Sequence, residues 1–374
     1  MRGAWWAVGF LVLLVLVALL SGVIANDRPI VVRDAQGLRF PALGGGSYHS
    51  NSAVDFVVYA PVPFRAGQTD LSERRYLPPL SRSSDGRLHW LGTDRLGRDT
   101  AAGLVTGTRV AVVVGLGSLL VALLIGLPLG ALSGFYGNDR VSVPAYTYWS
   151  VILGLIVGVA YGVGSLLPLA PTLGVGWVLI LVAVLVSLAV LRGVLRLFSR
   201  WVRGLRSTVT VPLDRGVMLL LGLTASVPGL ILMIVALSFI NRASIGVVVV
   251  VLGVLGWTAI ARFLRSELMR IRELPYIAAA QVSGVGEWRL LVRHALPNAL
   301  GPVSVVAAFL VGGSILAEAA LSFLGIGLPA DVVTWGNLLR QSRMQPSAWW
   351  LAVFPGILLT LTVLACNSLR KAEL

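Results

Sequence analysis

Residues 271–298 read IRELPYIAAAQVSGVGEWRLLVRHALPN, a polar island between two long apolar runs. Pro275 suits the first turn of a helix, because it has no N–H to leave unpaired there. Gly284 and Gly286 then stop that helix where a positive φ is cheap. Glu287 opens a second helix, and Pro297 restarts the chain into the next apolar run. Arg270, Arg272, Arg289, Arg293 and His294 surround Tyr276, Ile277, Ala279, Ala280 and Trp288. A link that only reverses direction between two packed helices needs about two to eight residues. This one spends more than twenty on a helix–turn–helix, which predicts a surface presented to another protein. The alternative from the stretch alone is an interfacial helix lying on lipid.

The rest of the 374 residues sets the medium. Hydrophobic residues make up 57% of the chain and charged ones 12%, with mean hydropathy +0.87, the composition of a polytopic membrane protein. A net charge of +14 would suggest nucleic acid for a soluble chain. Here the basic residues sit at the ends of apolar runs, where they set orientation, and no nucleic-acid partner is expected. Lys371 is the sole lysine and precedes Ala372, so the chain has no GxxxxGK[ST] phosphate loop. Any ATP hydrolysis belongs to another subunit. Cys366 is alone, and His49, His89 and His294 are scattered without HExxH spacing. No GxSxG stretch occurs, so the sequence supports neither a hydrolase nor a metal site and no cofactor is expected.

Eight apolar runs are expected to cross the membrane. The first, Ala4 to Ala25, is long enough to span and longer than the core of a cleaved signal. Residues 27–100 then hold eight acids, ten arginines, Gly44-Gly45-Gly46 and prolines including Pro61, Pro63, Pro78 and Pro79, but no run long enough to span. They read as a long outer loop with a short strand at Val54 to Tyr59, either contacting an external protein or covering the rim. Val110 to Ser133 carries Gly126, Gly130 and Gly134 four apart, a smooth stripe for close packing, with a kink expected at Pro128. Tyr146 to Leu167 and Leu173 to Leu191, joined by Pro168 to Thr172, form a helical hairpin, its first run marked by Gly154, Gly158 and Gly162. Its second run leads into Arg192, Arg196, Arg200, Arg203 and Arg206; the hairpin either packs peripherally or docks another subunit.

Met218 to Ile240 has Pro228-Gly229 near its middle, either a packing kink or a break beside a translocation path. Ile245 to Ala261 precedes the island, Gly301 to Leu324 follows it, and Leu351 to Leu369 is last. Glu318 lies inside its run, where a carboxylate costs roughly 3 kcal/mol and must face protein or water. It either lines a gate or path, or caps a short helix near the outer surface. With both termini inside, the inner segments hold Arg2, Arg140, Arg192 to Arg215, Arg262 to Arg293, and Arg370-Lys371. The short outer links hold only Arg242, Arg340 and Arg343, the asymmetry expected of the positive-inside rule.

Tyr276 to Asn298 resembles the cytoplasmic coupling loop of bacterial ABC-importer permeases. Ala279, Ala280, Gly284, Arg293-His294, Leu296 and Pro297 stand at that family's positions. Ala278 replaces the family's usual glutamate; the helix still forms, since alanine is the best helix former, but a polar contact to the partner is lost. His89 to Asp99 (HWLGTDRLGRD) followed by Arg109, and Ala317 to Gly327 (AEAALSFLGIG), resemble the C-type permeases for dipeptides, oligopeptides and nickel. So do Trp335-Gly336-Asn337, Trp349-Trp350 and Phe354-Pro355-Gly356. In the 89–99 segment Asp94, Arg95, Arg98 and Asp99 can pair with each other.

The resemblance implies an all-α bundle of the type I importer permease kind, about eight transmembrane helices with six as the usual core plus the inserted hairpin. The expected division is a first helix over 1–25, an extracytoplasmic loop over 26–105 and a permease domain over 106–374, with hairpin 141–206 and coupling loop 271–298. It implies a homologous permease partner completing the pore, two cytoplasmic ATP-binding subunits and an extracytoplasmic substrate-binding protein, in the inner membrane of a bacterium. Coupling residues would be Tyr276, Ala279, Ala280, Gly284, Trp288, Arg293, His294 and Pro297; path or gate residues would be Pro228 and Glu318. Di- or oligopeptides are the favoured cargo, with nickel, opines or sugars open. An ion-coupled secondary transporter would instead show internal repeats and several intramembrane carboxylates. Glu318 is the one such carboxylate, and no clear repeat appears. A membrane scaffold that merely docks a partner is the other rival.

Overall fold

The computed structural model describes residues 5–34, 37–41, 54–69, 75–83, 86–162, 164, 176–238 and 244–369. Arg2, the Gly44–Gly46 run, His49, the Pro168–Thr172 link, Arg242 and the Arg370-Lys371 end lie outside them. The chain divides into two units, Met1–Gly130 with Leu221–Leu374, and Ala131–Leu220.

In the larger unit, α1 (Trp5–Leu19) is followed by a single turn, α2 (Ser21–Ile24). The first apolar run is therefore broken at Leu20, where ψ rises to 6°. The Ser21 hydroxyl donates to the Ala18 carbonyl oxygen at 2.9 Å, the competition with helix bonding expected of serine. Beyond it, β1 (Val31–Asp34) pairs antiparallel with both β2 (Gly37–Arg39) and β3 (Val54–Val58), so that Val32 faces Arg39 on one side and Val57 on the other. A second small ladder joins β4 (Ser81–Arg82) to β5 (Leu88–His89).

Helix α3 (Thr100–Ala131) starts ten residues before the apolar run that announced it. Asp99 is the reason: its Oδ1 accepts the Ala102 N–H at 2.7 Å and caps the helix, satisfying a backbone donor that would otherwise be orphaned. The expected glycine stripe is used. A Cβ on Gly126 would lie 2.8 Å from Ile260, and one on Gly130 would lie 2.8 Å from the Ala261 carbonyl oxygen. The backbones of α3 and α8 (Ile245–Ile271) approach that closely only because the side chains are absent. Ser244 caps α8 by accepting the Val247 N–H at 3.3 Å.

The Met218 to Ile240 run is two helices, α6 (Leu213–Ala225) and α7 (Gly229–Ser238), bent by 80° across Pro228. Helix α11 (Leu296–Leu324) runs through the middle of the unit and stops at Gly325, whose φ of +82° forms a left-handed cap. It packs on α8, on α12 (Trp335–Met344) and on α13 (Trp350–Ser368). Ile315, Ala319, Trp335, Leu338, Trp350 and Leu351 form one buried cluster with Leu14 and Leu104. Val110, Val114, Leu237, Val248, Leu252 and Leu321 form another.

The smaller unit holds a hairpin. Helices α4 (Ala145–Tyr161) and α5 (Gly176–Phe198) meet where Gly154 and Gly158 face Leu188 and Val184. The chain entering α4 and the chain leaving α5 are tied by β6 (Ser142–Pro144) pairing with β7 (Thr208–Thr210). Helix α5 runs past the expected end at Leu191 and carries Arg192 and Arg196 within it, since arginine is a good helix former.

Among the described residues five helices are long and apolar enough to cross a membrane, or six if α6 and α7 form one broken span. Helices α1 and α4, at 15 and 17 residues, are shorter apolar helices. These eight correspond to the eight apolar runs. Large apolar side chains such as Leu120, Leu124, Val250, Leu316 and Ile357 point outward, as a lipid-facing surface requires.

Candidate functional site

The island between α8 and α11 is built on a small buried base. Helix α9 (Pro275–Val282) begins with Leu274 in an extended conformation and Pro275 in the first turn. Ile271, Ile277, Leu290, Leu291 and Ala295 are all buried, so the island has an apolar floor. Ile277, which the sequence groups with the residues that the arginines surround, is part of that floor. After Val282 the chain turns at Gly284, with φ +79°, and the Val285 N–H donates to the Ala280 carbonyl oxygen at 3.1 Å. Gly286 does not share the positive φ expected of it. It is extended, at φ −64° and ψ 147°, and serves as the N-cap of α10 (Glu287–Leu290).

The second helix of the island does not end before the next span. Residues Leu291–Ala295 form a π-helical turn and the helix continues as α11, giving one helical segment from Glu287 to Leu324. Pro297 sits in the first turn of α11 and restarts nothing. The Asn298 amide donates to the Tyr276 hydroxyl at 3.2 Å and to the His294 carbonyl oxygen at 2.6 Å, fastening α9 to this helix. Arg270 pairs with Glu267 and Arg272 with Glu273, so two of the basic residues around the patch are partly neutralised.

The outward face holds Tyr276, Ala278, Ala279, Trp288, Arg289 and Arg293. Ala280 and His294 are half-buried, and Pro297 is exposed. Trp288 is 70% exposed. Val282, which the sequence reading passed over, is 91% exposed and lies one turn beyond Ala278 on α9. Its signal in the sequence was its spacing: it stands five residues from the buried Ile277, on the opposite side of a 3.6-residue helix. Two large apolar side chains held in solvent by a rigid base are what a protein-contact surface looks like.

Glu318 is 2% exposed on α11 and is enclosed by protein. The Ser322 hydroxyl donates to its Oε1 at 2.7 Å, and the Thr334 side chain also bonds to it. Thr334 is the N-cap of α12 and accepts the Asn337 N–H at 3.1 Å. The carboxylate thus ties the start of a ten-residue helix to α11, while the cap of that helix is Thr334. Gly336 allows the approach, since a Cβ there would lie 2.5 Å from the Ala319 carbonyl oxygen. A 360 Å³ cavity lies between α7, α8 and α11, lined by Gly229, Leu252, Gly256, Phe309, Gly313 and Ala317 among others. Pro228 sits at the bend beside it and is itself exposed; neither Pro228 nor Glu318 lines it.

The 89–99 segment forms a third polar centre. Asp94 pairs with Arg98 at 2.7 Å, accepts the Leu96 and Arg98 N–H groups, and takes a 3.3 Å bond from the Gln341 amide. Asp99 faces His89 at 2.8 Å rather than an arginine, and His89 stacks on Phe64. Arg95 contributes its backbone, donating to the Gln341 Oε1 at 3.2 Å. The Trp350 indole donates to the Thr93 carbonyl oxygen at 3.1 Å. The segment anchors the stretch before α3 to α12 and α13. Among the described residues no group of three or more His, Cys, Asp or Glu side chains is placed to hold a metal ion.

The sequence is similar to known proteins. Residues 209–372 match the family of binding-protein-dependent transport system inner membrane components. The chain is 27% identical over 282 residues to the glutathione transport system permease protein GsiD of Pectobacterium atrosepticum, an alignment covering 75% of this chain and 69% of that protein. It is 25% identical over 394 residues to the inner membrane ABC transporter permease protein YejE of Escherichia coli, covering 99% of this chain and 93% of that protein.

Proposed function

We propose that this chain, which through residues 209–372 belongs to the inner membrane components of binding-protein-dependent transport systems, is the permease subunit of an ATP-driven importer of small peptides. A relative named for glutathione transport, aligned over 75% of the chain, and one named as an ABC transporter permease, aligned over 99% of it, support that reading. The chain contributes no catalytic group of its own. A homologous permease completes the pore, two ATP-binding subunits face the cytoplasm, and an extracytoplasmic protein delivers the cargo.

The observation that carries the mechanism is the island at 275–295. Trp288 and Val282 project from a buried base into solvent, and the base is continuous with α11. In this reading the ATPase grips Tyr276, Ala279, Ala280, Trp288, Arg293 and His294, with Gly284 setting the turn and Pro297 the entry to α11. Closure of the motor on ATP moves the island, and α11 tilts between inward-open and outward-open arrangements. The cavity at Gly229 beside the Pro228 bend is the part of this chain best placed to border the path. Glu318 holds α12 in place and leaves cargo contact to other residues.

The experiment is reconstitution of the four-part importer with its binding protein in proteoliposomes. Small peptides should stimulate ATP hydrolysis and accumulate inside. Gly284→Val, which forces a branched residue into positive φ, should abolish uptake while the protein still inserts and assembles. Uptake at the wild-type rate would remove the island from the mechanism. Stimulation by sugars or nickel but not peptides would correct the cargo alone.

A further inference from the structure

The α4–α5 hairpin carries a pattern that import does not account for. Between Asp139 and Asp214 the chain has six arginines, at 140, 192, 196, 200, 203 and 206, and no acidic residue. Arg192, Arg196, Arg200 and Arg206 are exposed at the end of α5. Arg206 donates to the Ser199 and Arg200 carbonyl oxygens and so finishes that helix; the three others have no acid nearby in sequence to neutralise them. Trp201, 88% exposed, and Phe198 stand among them, and Tyr148 and Trp149 sit at the same end on α4. Away from this end the exposed side chains are apolar, including Leu155, Ile156, Leu181, Leu185, Val186 and Val190. No residue of Leu181–Phe198 is buried, and the inward stripe at Val184, Ser187 and Leu188 is only enough for α4. A single protein partner would take one face of such a helix. Acyl chains wet every face that α4 leaves open, with aromatic rings and arginines at headgroup level.

We propose that the arginine-and-tryptophan end of the hairpin is a binding site for the phosphate headgroups of anionic phospholipids. Arginine presents a fixed fork of donors to phosphate oxygens. The hairpin then makes the protein's lipid surroundings selective without touching cargo or motor, and the inference stands whatever is transported.

The test uses the full purified chain in nanodiscs containing phosphatidylcholine and phosphatidylglycerol, with retained lipid counted by native mass spectrometry after partial delipidation. Wild type should retain phosphatidylglycerol in preference. Arg192→Gln/Arg196→Gln/Arg200→Gln should lose that preference by about fivefold per arginine removed, the factor expected for one basic residue at an anionic surface. Arg206 is left in place because it caps α5. The matching lysine triple variant should keep most of the preference, and raised salt should weaken it. Equal retention of both lipids by wild type would overturn the proposal, whether or not the glutamine variant folds. So would unchanged preference in that variant, or a photo-crosslinker at position 201 that captures a protein subunit of the assembled importer in place of lipid.

Discussion

At residues 89–99 the chain buries charges, and at residues 275–295 it exposes apolar side chains. Each is the reverse of what solvation alone would choose, and the two are resolved differently. Asp94 and Arg98 are buried together, and Asp94 is further satisfied by two backbone N–H groups and Gln341. Burial is tolerable there because every obvious valence of the carboxylate is met inside the chain. Val282 and Trp288 have no such settlement within the chain. A buried charge with all its partners marks framework, whereas an exposed tryptophan on a rigid base marks a surface completed by something else.

The contrast can be broken from either side. Asp94→Ala leaves the Arg98 guanidinium buried without its partner and should destabilise the folded chain by about 3–5 kcal/mol, read as thermal unfolding in detergent. Trp288→Ala should leave that unfolding within about 0.5 kcal/mol of wild type, since the side chain is mostly in solvent. It should weaken association with the ATPase by roughly 2 kcal/mol, about thirtyfold in dissociation constant, measured by titration of the purified subunits. Gly336→Ala places a methyl against the Ala319 carbonyl oxygen and should cost about 1–2 kcal/mol of stability with ATPase affinity unchanged. The smallest effect is expected of Ala278→Glu, which restores a charge on an exposed face. Stability should shift by less than about 0.5 kcal/mol, and the ATPase-binding titration shows whether the partner kept the matching group.

Much of the architecture could be read in advance because a membrane span is a composition as much as a pattern. All eight apolar runs have helices in them, and the hairpin's glycines at 154 and 158 do meet its second helix. Helix ends were less legible. Helix α3 begins at its Asp99 cap and α8 runs on through Arg262 and Arg265, because helix formation depends on caps and propensity while hydropathy marks only the span. The 80° bend at Pro228 needed the structure, since a proline can kink a span slightly or break it. In the island, the turn at Gly284 followed from glycine's φ freedom. The sorting of Ile277 inward and Val282 outward depended on how α9 settles on Leu290 and Leu291, a tertiary fact. Glu318 drew attention as a carboxylate in an apolar run, but its partner Thr334 lies sixteen residues away across a reversal that no local pattern encodes.

The unbroken helix from Glu287 to Leu324 has a mechanical consequence. Its 38 residues make a rod roughly 57 Å long at ~1.5 Å per residue, with Trp288 near one tip and Glu318 toward the other. A few ångströms of displacement at the tryptophan need no relay of rearranging side chains to be felt at α12; the rod carries them as a crank carries torque. The π-helical turn at Leu291–Ala295 and the interior Pro302 are places where such a crank could give, and stiffening the π-turn would alter the stroke while leaving grip and fold alone.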